Sequence, residues 1–249
     1  MRSIVRKTTT VAICAIAACG VAISTGCTPK KKYGTEWRYT LPEGRSVVWA
    51  IAPAIDLSGQ RGIDPLLQAD IVYQHLQQVG GVTAVPVNRV AEVYASLGIE
   101  KVQSIEQAAL VCDLLGVEAL VVPTITIYDP YDPPKMGAAL QLFIKPGAYK
   151  RMAGVDPRNL ARMASPGETE SLEEQADFTQ AVGMFDAANG SVRDRLFYYA
   201  AGRNDPQGPL GRKEYLVSMD RYAGFVYHEL IGQLIQSPRL RQVMTNAPK

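Results

Sequence analysis

Apolar positions between residues 46 and 236 change period several times, and each change predicts an element. Ser46-Val47-Val48-Trp49-Ala50-Ile51-Ala52-Pro53 is a continuous apolar run and reads as a buried strand. Asp64-Pro65 then supplies a helix N-cap and first helical position. Leu67, Ile71, Gln74 and Gln78 mark one line of that helix, with Leu66, Tyr73, Leu76 and Val79 in an adjoining apolar band, and Gly80-Gly81 stops it. Val82 to Val87 is a second strand, after which Asn88 is expected to cap a short helix carrying Val90, Val93, Tyr94 and Leu97. Ser104-Ile105-Glu106-Gln107 has the capping-box spacing and opens a helix that runs to about Leu115, ended by Gly116. Ala119 to Tyr128 is a third strand, central in character because it is almost wholly apolar.

Beyond Tyr128 the pattern changes. Three prolines stiffen Asp129-Pro130-Tyr131-Asp132-Pro133-Pro134 into a loop. A strand is expected over 138–144. Residues 145–176 form an insertion rich in Pro, Gly and charge. A hairpin is then expected, Phe178 to Phe185 and Ser191 to Tyr199, turning through Asp186-Ala187-Ala188-Asn189-Gly190. A last long helix carries Leu216, Met219, Ala223, Val226, Leu230 and Leu234 at spacings of three and four, bounded by Pro238. The order β-α-β-α-α-β-β-β-β-α predicts an α/β (α+β) fold: one mixed sheet with helices packed on its faces. The single domain is expected over 46–240, with 241–249 as a tail.

The amino terminus has a different pattern. Arg2, Arg6 and Lys7 precede an uncharged, mostly apolar run from Val11 to Ile23, too short to span a bilayer as a helix. Ser24-Thr25-Gly26-Cys27 follows. This succession resembles the lipobox of bacterial lipoproteins, in which the Cys is acylated and the peptide is cut before it. The resemblance implies a signal peptide over 1–26, lipidation at Cys27 with Cys19 as the alternative, and a tether over 27–45. Ser24 stands where the lipobox prefers Leu, Val or Ile. Ile16-Ala17-Ala18-Cys19 meets that preference, but its apolar segment is very short. Two or three acyl chains suffice for stable anchoring. Thr28 follows Cys27, where an Asp would favour inner-membrane retention, so the expected location is the outer membrane facing the periplasm.

Charge narrows the function classes. The chain has 249 residues and a formal net charge of +2. Without residues 1–26 it has 23 basic and 24 acidic side chains, near −1, which does not fit a general nucleic-acid binder. Of four cysteines, Cys14 and Cys19 leave with the signal if Cys27 is lipidated, and Cys112 reads as a buried, inert thiol in an apolar helix. Stability is then expected from the core and not from cross-links.

No catalytic motif stands out. There is no nucleophile elbow and no phosphate-binding loop. His75 and His228 are the only histidines, each inside a predicted helix without a second ligand at i+4, and they read as core-edge or surface residues. No catalytic residue, metal site or cofactor is therefore expected. Two loops remain. Tyr128, Asp129, Tyr131 and Asp132 offer two carboxylates and two aromatic faces at a strand end, either as a partner-docking ridge or as a stiff cover over the sheet edge. Calcium would require more oxygen ligands at regular spacing. Asp56-Leu57-Ser58-Gly59 follows the first strand, either as a ligand loop or as a turn into the helix.

The stretch from Ser46 to Val122 resembles a family of bacterial envelope lipoproteins and related domains. It includes the curli-secretion channel family, the lipoprotein activators of penicillin-binding proteins, and the amino-terminal domain of the Tol-Pal β-propeller protein. The resemblance rests on the strand ending near Pro53, the Asp56-Leu57-Ser58-Gly59 loop, Val82-Thr83-Ala84-Val85, the Asn88-Arg89-Val90 helix start, and the Ala108-to-Gly116 helix leading into Val117 to Val122. The Phe185-to-Gly190 turn resembles the family's Asp-x-x-x-Gly turn. Pro123 stands where the family carries a strand-end Gly. The resemblance implies a non-enzymatic envelope protein with an envelope protein partner: an assembly factor, a docking regulator or, alternatively, a secretion-channel subunit. An envelope hydrolase using Asp129 or Asp132 is the rival outside that family. Charges on both parities and prolines between Pro146 and Gln175 argue against membrane-spanning hairpins in the insertion.

Overall fold

A computed structural model describes residues 39–42, 46–145, 177–205 and 207–246. The signal segment, Cys19, Cys27, nearly all of the tether and the insertion beyond Lys145 lie outside the described residues.

One mixed sheet organises the molecule. Its strands are β1 (Val47–Ile51), β2 (Ile55–Asp56), β3 (Val82–Val85), β4 (Ala119–Asp129), β5 (Lys135–Ile144) and β6 (Asp177–Asp186). The spatial order is β3-β1-β4-β5-β6, with β2 continuing the line of β1 against β4. β1 is parallel to β3 and β4, whereas β4-β5-β6 is an antiparallel meander. The parallel connections run through α1 (Pro65–Leu76), α2 (Val87–Leu97) and α3 (Ile105–Leu115). After β6 come α4 (Gly190–Ala200), α5 (Glu214–Val217), α6 (Met219–Gln236) and α7 (Pro238–Asn246). No helix among the described residues is long and apolar enough to cross a membrane.

Strand parity divides the core in two. Trp49, Ile51, Val121 and Ile125 face the larger cluster, built with α1, α4, α6 and α7. Ala50, Ala52, Leu120 and Val122 face the smaller one, with Val90 and Tyr94 of α2 and Val111 and Cys112 of α3. Alternate side chains leave a strand on opposite sides, so β1 and the first half of β4 are apolar at every position because both sides are covered. Cys112 is buried and free, and burial pushes its thiol up to about 12.

Pro123 is tolerated inside central strand β4 for a local reason. Ala52 N–H donates to the Val121 carbonyl at 2.9 Å and Leu57 N–H to that of Ile125 at 2.8 Å, so odd-numbered backbone groups point toward β1 and β2. At Pro123 that side meets the break between β1 and β2, and the missing N–H removes no ladder bond.

The caps follow the sequence closely. Asp64 Oδ1 accepts from Leu66 N–H at 2.9 Å, and Ser104 Oγ from Gln107 N–H at 3.2 Å. The Gln107 side chain reaches back to Gln103 N–H at 2.8 Å. α2 begins one residue before the expected cap, with Pro86 as N-cap and Asn88 inside the first turn.

The segment Ser191–Tyr199 is corrected from strand to helix. Asn189 Oδ1 accepts from Ser191 N–H at 2.9 Å and caps α4. Val192, Leu196 and Tyr199 are buried at helical spacing, so the apparent alternation was an incomplete view of a four-residue period. The last helix is also divided. Ser218 leaves helical geometry and caps α6, and Pro238 opens α7 instead of ending the packed chain. Leu240 and Met244 are fully buried, which carries the core into the stretch expected as a tail.

Candidate functional site

The candidate loop is the tip of the β4–β5 hairpin. A β-bulge at Thr126 shapes it: Ile125 pairs with Ala138, and Ile127 with Gly137. The extra residue inverts parity for the rest of β4. Tyr128 is thereby turned toward the larger core, where it is half-buried, and Ile127 faces the opposite side. A Cβ at Gly137 would lie 2.8 Å from Thr126 Oγ1, so a larger residue at this crossing would displace the Thr126 side chain. Burial and the Asp220 carboxylate raise the Tyr128 phenol above its ordinary range.

Asp129 Oδ1 accepts from Tyr131 N–H at 3.2 Å, the local bond that favours Asp at turns. Lys135 Nζ lies 2.7 Å from Asp186 Oδ2, and the Pro134 carbonyl accepts from Ala187 N–H at 3.0 Å. These contacts tie the base of the tip to the β6–α4 turn. Beyond the base, Asp129 and Asp132 are exposed and Tyr131 is 81% exposed. Three of the four anticipated residues thus share the exposed tip, while the fourth, Tyr128, packs inward. At the second loop, Asp56 Oδ1 accepts from Ser58 N–H at 2.9 Å and from Ser58 Oγ at 2.7 Å, closing a turn that leads toward α1.

A polar and aromatic cluster between α1, α4 and α6 was not anticipated. The ring centroids of His75 and His228 are 5.9 Å apart, and Tyr199 lies 5.0 Å from His228. Tyr199 Oη is 3.2 Å from His75 Nε2, and the Tyr39 ring is 5.2 Å from His228. Backbone bonds hold Tyr39 in place: its carbonyl accepts from Gly80 N–H at 2.7 Å, and Leu41 N–H donates to the Gly80 carbonyl at 2.9 Å. Burial, then the Arg203 cation, lowers His75 to about 4. Burial, then His75 and Arg203, lowers His228 to about 3. Both imidazoles are therefore neutral at neutral pH. Burial and Glu229 push the Tyr39 phenol up to about 12.

Two cavities flank this cluster. One, about 520 Å³, is lined by Gln74, His75, Gln78, Tyr199, Arg203 and Arg221 among others. The other, about 250 Å³, is lined by Asp194, Arg195, Tyr198, Tyr199, His228 and Glu229, with Arg195 Nη1 2.6 Å from Glu229 Oε2. Neither Asp129 nor Asp132 lines these cavities, nor the groove of about 230 Å³ beside α3. Among the described residues no three His, Cys, Asp or Glu side chains converge as a metal site. One sequence signal did mark the cluster. Gly224 and Gly232 lie inside the long helix α6, where glycine is unfavourable. A Cβ at Gly224 would sit 3.2 Å from His75 Nε2, and one at Gly232 would overlap the Tyr39 phenol.

No family model and no curated protein matches the chain. Similar solved structures include the LpoB C-terminal domain from Escherichia coli, at 10% identity over 41% of this chain and 73% of that one, with a TM-score of 0.33. Lipoprotein GNA1162 from Neisseria meningitidis is 14% identical over 47% of this chain and 93% of that one, with a TM-score of 0.34. The hypothetical protein CT253 from Chlamydia trachomatis is 10% identical over 77% and 98%, at 0.37. All three scores are below 0.5, and no activity or partner of this chain follows from them.

Proposed function

We propose that this protein is an exported lipoprotein of the bacterial envelope, anchored through Cys27 in the outer membrane and facing the periplasm, that acts as a non-enzymatic binding, assembly or regulatory factor. The observation that carries the docking role is the hairpin tip. Tyr131 stands free between the exposed carboxylates of Asp129 and Asp132, on a base fastened by the Lys135–Asp186 pair and the Pro134–Ala187 bond. An aromatic held out on a rigid support loses little conformational freedom on binding, which suits it to anchor a protein interface. The exposure of both aspartates supports docking over hydrolysis, because an acid–base pair needs a pocket that gathers the reacting groups.

Both halves of the proposal are tested on protein isolated from membranes after a photo-crosslinking residue replaces Tyr131. Mass spectrometry is expected to find an acylated amino terminus at Cys27, and irradiation a discrete protein adduct that Asp129→Ala/Asp132→Ala weakens several-fold. An unmodified chain beginning elsewhere would refute the anchor. Loss of the adduct with the anchor intact would refute the docking role.

A further inference from the structure

The sheet has two edges of different kinds. β3, at one end, is four residues long, and the chain at Thr40 bridges to Gly80 just before it. β6, at the other end, is ten residues long, and among the described residues no strand pairs with its outer side. Proteins usually protect such an edge with a charge, a proline or a bulge. Between Phe178 and Phe185 β6 has none of these, and its register with β5 is unbroken from Lys135↔Asp186 to Ile144↔Asp177. Its odd-numbered residues Thr179, Ala181 and Phe185 are buried. Its even-numbered residues face the side of the sheet that α2 and α3 cover over β3, β1 and β4 and, at Phe143, over the neighbouring β5. There Phe178 is 45%, Val182 60% and Met184 63% exposed.

We propose that β6 is a self-association edge, through which two copies of this chain pair antiparallel and join their sheets. The strand is complementary to itself. A two-fold axis at Ala181 sets Phe178 of each copy opposite Met184 of the other, and Gln180 opposite Val182, so the outward row becomes a continuous mostly apolar band. The terminal charges do not meet: Asp177 falls opposite Phe185, and Asp186 is already paired with Lys135. Alternation keeps the odd-numbered side chains over their own core, so pairing needs no repacking. A nine-residue strand pair with one apolar row buries less than the ~800 Å² per partner of a standard interface, which sets the dimer in the concentration-dependent class.

Sedimentation equilibrium of the full chain in density-matched detergent tests this. A monomer–dimer equilibrium is expected, with Val182→Lys raising its dissociation constant at least about tenfold while thermal melting is unchanged. Gln180→Lys serves the same purpose should Val182→Lys fold poorly. Mixed copies carrying Gln180→Cys and Val182→Cys should cross-link to each other faster than either does to itself. A monomer at every concentration overturns the proposal, as does a dimer that both lysine variants leave intact.

Discussion

The two faces of the sheet are finished differently. On one face α1, α4, α6 and α7 cover β3, β1, β4, β5 and β6, and Trp49, Tyr222, Phe225 and Tyr227 are fully buried there. On the other face α2 and α3 cover β3, β1 and β4 but leave the outward row of β6 in solvent. The covered face is where most apolar area leaves water, and so where most of the stability arises. It also encloses polar groups that would be costly without partners: Gln68 is buried and accepts from the Tyr227 hydroxyl at 3.1 Å. The half-covered face contributes less to folding and has surface free for association.

This contrast can be broken at three places. The largest effect is expected for Trp49→Ala, which empties the centre of the covered face and should cost about 3–5 kcal/mol in urea unfolding. A loss no greater than that of an exposed substitution would end the distinction between the faces.

The next effect is a pH dependence confined to the covered face. Folded-state values of about 4 for His75 and about 3 for His228 lie below the ordinary imidazole value, so the unfolded chain binds protons first. Stability is full above about pH 6.5 and falls as pH drops, levelling only after both imidazoles are protonated in the folded state. Each imidazole is expected to contribute a loss on the order of 2 kcal/mol by pH 5. Glu229, raised by burial, titrates with the opposite sign, so the readout is the difference between the unmodified chain and His228→Leu in denaturant melts at pH 7.5 and 5. Equal slopes would show that the His228 imidazole is solvated.

The smallest effect belongs to the half-covered face. Ser104→Ala removes the cap of α3 and should lower stability by about 1 kcal/mol, read as a shift of the urea midpoint with no change in slope. A change in slope would mean that α3 unfolds separately and that this face is a unit of its own.

Much of this architecture was legible before the fold was known. The run at Val47–Ile51, the caps at Asp64 and Ser104 and the stop at Gly116 depend on neighbours within a few positions, and they appear where the pattern places them. Ser191–Tyr199 was misread because the buried residues Val192, Leu196 and Tyr199 are interleaved with half-exposed aromatics at Phe197 and Tyr198, which mimic a strand. The hairpin tip was recognised as a loop with two carboxylates and two aromatics. That Tyr128 turns inward could not be read, since the bulge at Thr126 is defined only by the register of β4 against β5.

Periodicity and capping are local properties of the chain, and they define the mixed α/β class, the order of the parallel half and most of its helix ends. Which face of β6 stays open and which of the four loop residues project follow from packing between distant parts of the chain. That packing alone brought His75 to Tyr199 and His228 across 124 or more positions, as the 3.2 Å contact between His75 and Tyr199 shows. Those outcomes depend on which distant surfaces meet, and the burial that shifts an imidazole or frees an edge is a property of the packed whole.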